Sequence, residues 1–364
     1  MPPIGQSEVI LARQWLAELC AVETTSGQED ALLPTVQRFL AEIAPAALPV
    51  TTLLQPVAPG RTNVLALWGQ PRVLLTTHLD TVPPFVPPRW DGRRCLGRGT
   101  CDAKGQIVAQ WLAIRRLVTD GPGNVAWLGV VGEETDSLGA ATAAADPEWR
   151  SRFEVCRAVI NGEPTELKLA TGQRGLERFI LTCQGQAAHS GLPELGRSAL
   201  WMLFDWLHDL RQEAAAVDPV LGPEIWNLGR CRGGEAANTI PAQAEAEVLF
   251  RTVPGSRLPD RLQALAPAGA TITPILREPP QTFTTLPGFA AAPMPFGSDA
   301  PHFRRLAPEA ALLQVGPGSI RVAHTPEEFI DLDDLLAGAA LLERLARSFL
   351  AGAAPNAVVQ GGRS

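Results

Sequence analysis

Val73-Leu-Leu-Thr-Thr-His78-Leu-Asp80-Thr-Val-Pro83 is a short apolar, β-branched run that ends in His-x-Asp. A strand sends side chains i and i+2 to the same face. One imidazole and one carboxylate therefore emerge together where the strand stops, which suits a metal ligand and the acid that orients it. Apolar runs at 62–68 and 125–131 read as further buried strands. Helical periodicity marks 104–118 and 136–145, and amphipathic helices are expected over 8–20 and 28–43. This alternation predicts an α/β layer, a mostly parallel sheet flanked by helices.

Near residue 173 the texture changes. Arg178-Phe-Ile-Leu-Thr-Cys183 alternates like a half-exposed strand. A helix over 196–216, strands at 225–231 and 244–252, and a helix at 257–265 follow, the pattern of an inserted α+β unit. After a Pro-rich passage (273–295), α/β texture returns with Ala311-Leu-Leu-Gln-Val315 and a closing helix at 331–350. The expected organisation is an α/β layer over 1–175 and 283–352, an inserted unit over 176–282, and a loose tail over 353–364.

At 364 residues and 46% hydrophobic, the chain is long enough for two domains or one large α/β domain. A net charge of −7 with no Lys/Arg block argues against a nucleic-acid partner. No apolar run reaches the ~20 residues of a membrane span, and the N-terminus lacks the pattern of a signal peptide. Six scattered cysteines without a C-x-x-C pair fit a reducing compartment, so a cytoplasmic protein is expected.

Four further segments carry candidate ligands. Asp102, in Gly97-Arg-Gly-Thr-Cys-Asp102-Ala-Lys-Gly105, precedes a helix and by itself is most simply an N-cap. Glu133 and Glu134 close the strand-like Trp127-Leu-Gly-Val-Val-Gly132 and point in opposite directions. Glu163 follows Val159-Ile-Asn-Gly162, and His324 lies in Ala323-His-Thr-Pro-Glu-Glu328. Taken singly, these are ordinary turn or surface residues. Taken together, His78, Glu133, Glu134 and Glu163 all fall beyond the carboxyl ends of strands, where open α/β sheets gather their sites. Two imidazoles and several carboxylates suit Zn²⁺, Co²⁺ or Mn²⁺. Six groups exceed the needs of one tetrahedral ion and favour two, about 3.5–4 Å apart and sharing a bridging carboxylate.

His78-x-Asp80, Gly-x-Gly-x-x-Asp102, Glu133-Glu134, Gly-Glu163-Pro-Thr, Ala-His189-Ser-Gly-x-Pro and Ala-His324-Thr-x-x-Glu, in that order, resemble the M20 family of dinuclear zinc amidohydrolases. The resemblance spans about residues 8–350. It implies His78 and Glu163 on one ion, His324 and Glu134 on the other, and Asp102 between them. It implies Glu133 as general base and Asp80 as the partner of the second His78 ring nitrogen. It also implies an insert of ferredoxin-like α+β type that pairs two subunits, with His189 reaching the partner's site to steady an oxyanion. Asn238 and Arg251 match family substrate contacts; Arg174 and Ser298 are further pocket candidates, and His302 is another. His208, in an apparent helix, reads as structural. In many relatives a second Asp follows the bridging one, where this chain has Ala103.

Within the family, the segments around Glu163 and His324 look most like the acetylornithine-deacetylase branch. The resulting expectation is hydrolysis of an N-acyl amino acid in amino-acid biosynthesis by a homodimer holding two ions. A succinyl-diaminopimelate desuccinylase, a lysine- or citrulline-pathway deacylase, and a dipeptidase or carboxypeptidase stay open. A non-catalytic relative is disfavoured because all six groups are present. A single structural zinc is disfavoured because such sites are usually Cys-rich.

Overall fold

The computed structural model describes residues 5–43, 48–119, 121, 123–351 and 358–359. Its longer strands are β1 (Thr51–Ala58), β2 (Arg61–Trp68), β3 (Val73–His78), β4 (Val125–Val130) and β5 (Ala158–Asn161), then β6 (Gly175–Gln184), β7 (Ile225–Gly233), β8 (Gln243–Thr252), β9 (Ala270–Glu278) and β10 (Ala311–Gln314). Its helices are α1 (Gln6–Cys20), α2 (Leu33–Ile43), α3 (Lys104–Thr119), α4 (Leu138–Ala145) and α5 (Pro147–Arg152), then α6 (Ala199–Gln212), α7 (Leu258–Ala264), α8 (Ala300–Leu306) and α9 (Leu332–Leu350). The chain divides into two compact units, with breaks at Thr171/Gly172, Gln281/Thr282, Ala292/Pro293 and Gly297/Ser298.

The first unit holds a six-stranded sheet in the order β1-β2-β4-β3-β5-β10. From β4 to β10 the strands are parallel, but β2 runs antiparallel to β4 and to β1. The sheet is therefore mostly parallel, as expected, with an antiparallel pair at one edge that makes it mixed. Gly60 takes φ +77°, which lets the chain reverse tightly between β1 and β2. β1 itself escaped notice in the sequence because it is an edge strand with an exposed, partly polar pattern. β3 and β4 are buried along their whole length, as uninterrupted apolar runs predict for strands covered on both faces.

Helices follow their apolar spacing. α2 buries Val36, Phe39, Leu40 and Ile43, one stripe at intervals of three and four. α3 is buried nearly all round, and its polar side chains are used internally. Gln110 donates to the Thr76 carbonyl (2.7 Å) and accepts from Trp127 Nε1 (2.9 Å). Trp15, Phe39, Trp111 and Trp127 form an aromatic chain through this core, tilted between Trp15 and Phe39 and edge-to-face elsewhere, with centroids 5.2–6.0 Å apart.

The second unit is a four-stranded antiparallel sheet ordered β7-β8-β6-β9. Alternation on β8 sends Ala244, Ala246, Val248 and Phe250 inward, where they meet Leu203, Trp206, Leu207 and Leu210 of α6 and Leu258 and Leu262 of α7. α6 begins at Ser198, whose hydroxyl accepts from Trp201 N (3.3 Å), so it is shorter than the 196–216 span expected. β9 lies inside the passage read as Pro-rich connection. It tolerates Pro274 because it is an edge strand, and its register shifts just after that residue. Most of the expected loose tail lies outside the described residues; Val358–Val359 pair with Thr284–Thr285 as a short strand.

Candidate metal centre

The parallel strands bring the ligands to one edge. His78 is the last residue of β3 and lies beside Val130 of β4; the Thr76 carbonyl accepts from Gly162 N beyond β5 (2.8 Å). Glu133, Glu134 and Glu163 follow within a few residues of those strand ends. Asp102 comes from the turn before α3, and His324 from the loop after β10, with φ +64°. Three groups have ligand atoms within 4.8 Å of one another: His78–Asp102–Glu163, His78–Glu133–Glu134 and Asp102–Glu134–His324. His78 Nε2 lies 3.0 Å from Asp102 Oδ1, and His324 Nε2 lies 3.4 Å from Asp102 Oδ2 and 2.9 Å from Glu134 Oε1. Asp102 thus stands between the two imidazoles.

The electrostatics are those of an acidic cluster in want of positive charge. Burial, and beyond it the carboxylates of Asp102, Glu134 and Asp299, push Glu163 well above the usual range. Burial also raises Glu133, aided by Glu163, Asp299 and Glu134 and opposed by His78. His324 is raised to about 10 by its bonds to Asp102 and Glu134. His78 is raised well above its ordinary value because its bonds to Asp102 and Asp80 outweigh the burial that opposes its charge. Carboxylates and imidazoles converging under burial are a donor set that one or two divalent cations complete. The residues present fit such ions.

Asp80 does more than the sequence suggested. The nearest acceptor to His78 Nδ1 is the Asp80 backbone carbonyl (3.0 Å), with carboxylate Oδ1 at 3.4 Å. The carboxylate chiefly clamps the Glu133–Glu134 loop. Its Oδ1 accepts from Gly132 N (3.0 Å) and Glu133 N (3.1 Å), and its Oδ2 from Glu134 N (3.2 Å) and Ser26 Oγ (2.7 Å). Arg61 holds the same loop through a bidentate pair with Asp136 (2.9 and 2.9 Å). Gly132 has φ +81°, and a Cβ there would lie 1.7 Å from Arg61 Nη2. Ser26, Arg61 and Asp136 gave no sequence signal, because their partners lie at distant positions.

Ser298 Oγ donates to Gln314 Oε1 (2.6 Å), which also accepts from Asn161 Nδ2 (3.2 Å), and Asn161 reaches Glu163 Oε1 (3.4 Å). Ser298 is thereby linked to the candidate ligand Glu163 through two amides. Its neighbour Asp299 is buried and is pushed up to about 6 by that burial. His302 is buried, with Nδ1 2.5 Å from Arg305 Nη2. His208 is exposed on α6 rather than packed in a core. Asp102–Ala103 is a cis peptide bond.

In the second unit, His189 and Asn238 are exposed and lie side by side. His189 bridges Thr239, Ser190 N donates to the Asn238 carbonyl (2.9 Å), and His189 Nδ1 accepts from Gly191 N (3.1 Å). Arg251 is half-buried on β8 opposite Leu176 and Ile225. Burial and then the charge of Arg174 lower its pKa. Arg174 Nη2 donates to the Leu221 carbonyl (2.6 Å). Among the described residues no acidic side chain lies at ion-pair distance from either guanidinium.

This constellation has relatives. A family model described as Peptidase family M20/M25/M40 matches residues 74–348. A peptidase M20 domain-containing protein of Schizosaccharomyces pombe is 36% identical over 289 residues, covering 76% of this chain and 70% of that protein. A probable carboxypeptidase of Aspergillus clavatus is 34% identical over 354 residues, covering 85% and 76%. The solved aminopeptidase PepT of Bacillus cereus superposes with a TM-score of 0.77 at 18% identity, over 95% of this chain and 99% of that one. A Bacillus subtilis protein described as a dinuclear metal-binding peptidase of the M20 family superposes at 0.70 with 14% identity, over 94% and 98%. The structural likenesses establish the fold, and the family match over residues 74–348, with relatives above 30% identity across most of the chain, shows descent: the chain belongs to peptidase family M20/M25/M40.

Proposed function

We propose that the chain is a two-metal hydrolase of linear amide bonds, acting on short peptides or N-acyl amino acids that carry a free carboxylate on the amine side. The observation that carries this reading is the overlap of the three ligand groups, two of which share Asp102. His78, Asp102 and Glu163 would hold one ion, and His324, Glu134 and Asp102 the other, with Zn²⁺, Co²⁺ or Mn²⁺ all suited to the donors. Bound ions supply Lewis acidity and lower the pKa of coordinated water from ~15.7 towards ~7. Glu133 takes the proton of the attacking water and passes it to the departing amine. A base whose pKa is raised by burial holds that proton long enough to return it. Asp80 keeps the Glu133 backbone in place.

Arg251 supports the free carboxylate. A half-buried guanidinium without an acidic partner, beside a second guanidinium, is stabilised by an anion. Peptide substrates fit relatives named probable carboxypeptidases; the acetylornithine-deacetylase type of substrate is the narrower alternative. The test is hydrolysis after chelation and return of Zn²⁺ or Co²⁺. The panel is a dipeptide, N-acetylornithine, N-acetylcitrulline, N-acetylmethionine and N-succinyl-diaminopimelate, each beside a form with the amine-side carboxylate amidated. Metal-restored cleavage of a free-carboxylate substrate is expected. Its amidated form should lose about 2–4 kcal/mol, on the order of 10²-fold in kcat/KM. Equal cleavage of both forms would remove the carboxylate subsite, and no cleavage by protein holding two ions would remove the hydrolase reading.

We also propose that the second unit pairs two copies. Trp201 (69% exposed) and Phe204 (44%) stand together on the outer face of α6, and Ile225 and Leu228 are exposed on the edge strand β7. An apolar helix face beside an open strand edge suits a like surface. His189 and Asn238 would then serve the partner subunit's site. Mixing inactive His189→Ala with inactive Glu133→Gln should restore activity, since one mixed site carries both groups; no restoration would refute action across the dimer.

A further inference from the structure

We infer that Glu328 is a positioning residue that cross-links the His324 loop to the Asp102 loop and so sets the geometry of the second ion site. Glu328 closes the Ala-His-Thr-x-x-Glu motif, four residues past His324. Nothing in that spacing reveals its partners, because they lie more than 220 residues away.

The carboxylate is 1% exposed and fully engaged. Oε1 accepts from Cys101 N (3.0 Å) and Asp102 N (3.1 Å), and Oε2 accepts from Arg98 Nη1 (2.6 Å). The Glu328 carbonyl accepts from Gly97 N (2.9 Å), and Arg98 Nη1 also reaches the Thr325 carbonyl (3.4 Å). One side chain therefore ties the amide of Asp102 to the segment that carries His324. Buried charge of this kind is tolerable only when every oxygen is satisfied, and here each is. The consequence is geometric. Asp102 and His324 must meet Glu134 within a few ångströms, yet His324 is itself exposed on its loop and has left-handed backbone. The Glu328–Arg98 pair is what holds that loop against the Asp102 turn. His78 and Glu163 sit on the strand ends and need no such tie.

This inference rests on the two-ion reading, and the experiment separates the two. Full-length wild type, Glu328→Gln and Arg98→Lys are titrated with Zn²⁺ against a chromophoric chelator, and the Co²⁺-substituted proteins are followed by visible absorption. Melting by circular dichroism reports the fold. Wild type that binds a single ion overturns the two-ion reading, and the cross-link with it. Given two ions in wild type, Glu328→Gln should keep the tighter ion within about threefold. It should bind the weaker one about 10–100-fold less well, the scale seen when groups behind metal ligands are changed. The Co²⁺ bands of the weaker site should shift. Unchanged affinities and spectrum in folded Glu328→Gln overturn the inference. So does equal weakening of both ions, which would place the effect on Asp102 alone. If Glu328→Gln does not fold, Arg98→Lys decides: it retains the charge but not the planar fork, so selective weakening of the second ion supports the cross-link and unchanged binding overturns it.

Discussion

Replacing Asp80 with Asn tests whether this carboxylate is a backbone clamp or only a histidine partner. It is fully buried and accepts four hydrogen bonds from Gly132 N, Glu133 N, Glu134 N and Ser26 Oγ, at 2.7–3.2 Å. An Asn keeps one oxygen. If it retains the bonds of Oδ1, its amide nitrogen faces the Glu134 N–H, donor against donor, while Ser26 can rotate to accept. One bond to a charged acceptor is lost, two others become neutral, and one amide is stranded, together about 2–4 kcal/mol. Urea unfolding of the metal-free proteins at pH 7 should show that difference. The sign with pH follows from the shift. Burial opposes the Asp80 carboxylate, but His78, Ser26 and the Glu134 amide together hold its pKa below the ordinary value. Its contribution is therefore present above about pH 4 and fades as pH falls through the lower folded value, so the two proteins should converge in acid. Ser26→Ala, which removes a single donor, should cost about 1 kcal/mol. Asp80→Asn within about 0.5 kcal/mol of wild type at pH 7 would refute the clamp.

Other outcomes follow from the same geometry. Glu133→Gln should lower kcat by a factor of at least about 10²–10⁴ while both ions stay bound, measured by turnover and metal analysis on one preparation; a metal-free variant would make Glu133 a ligand instead of the base. In metal-free protein at pH 7 both imidazoles are charged, with His324 near 10 and His78 well above its ordinary value. Zn²⁺ binding should then release at least about two protons per chain, one from each imidazole, and tighten as pH rises, measured by calorimetry in buffers of different ionisation enthalpy. Because His324 is raised by its carboxylates, the stability it lends the metal-free protein is full below about pH 6.5 and lost as pH rises through about 10. If the second unit pairs two copies as proposed, wild type should sediment as a dimer and Trp201→Asp as a folded monomer; a wild-type monomer would refute the pairing, and a dimer unchanged by this substitution would place the interface elsewhere.

The candidate ligand set was legible because each of its residues sits where a local pattern ends. His78 closes an apolar strand, Glu133 and Glu134 follow another, Glu163 follows a third, and Asp102 precedes a helix. Side-chain alternation and strand termination are properties of a few adjacent residues, so they survive in the bare order of amino acids. The inserted unit was legible for the same reason, through the alternation of β6 and β8. What stayed hidden depends on which segments become neighbours. β9 was missed because Pro274 argues against a strand unless the strand lies at an edge, and only the assembled sheet makes it one. The antiparallel β2 was missed because strand direction is set by pairing with β4, not by anything in Arg61–Trp68. Asp80 was readable as the companion of His78, two residues away. Its grip on Gly132, Glu133 and Glu134 spans more than fifty residues and appears only once β3 and β4 lie side by side. Glu328 beneath Asp102 is the extreme case: sequence carries the residues of the centre, and the packing of distant loops decides which backbone atoms they hold.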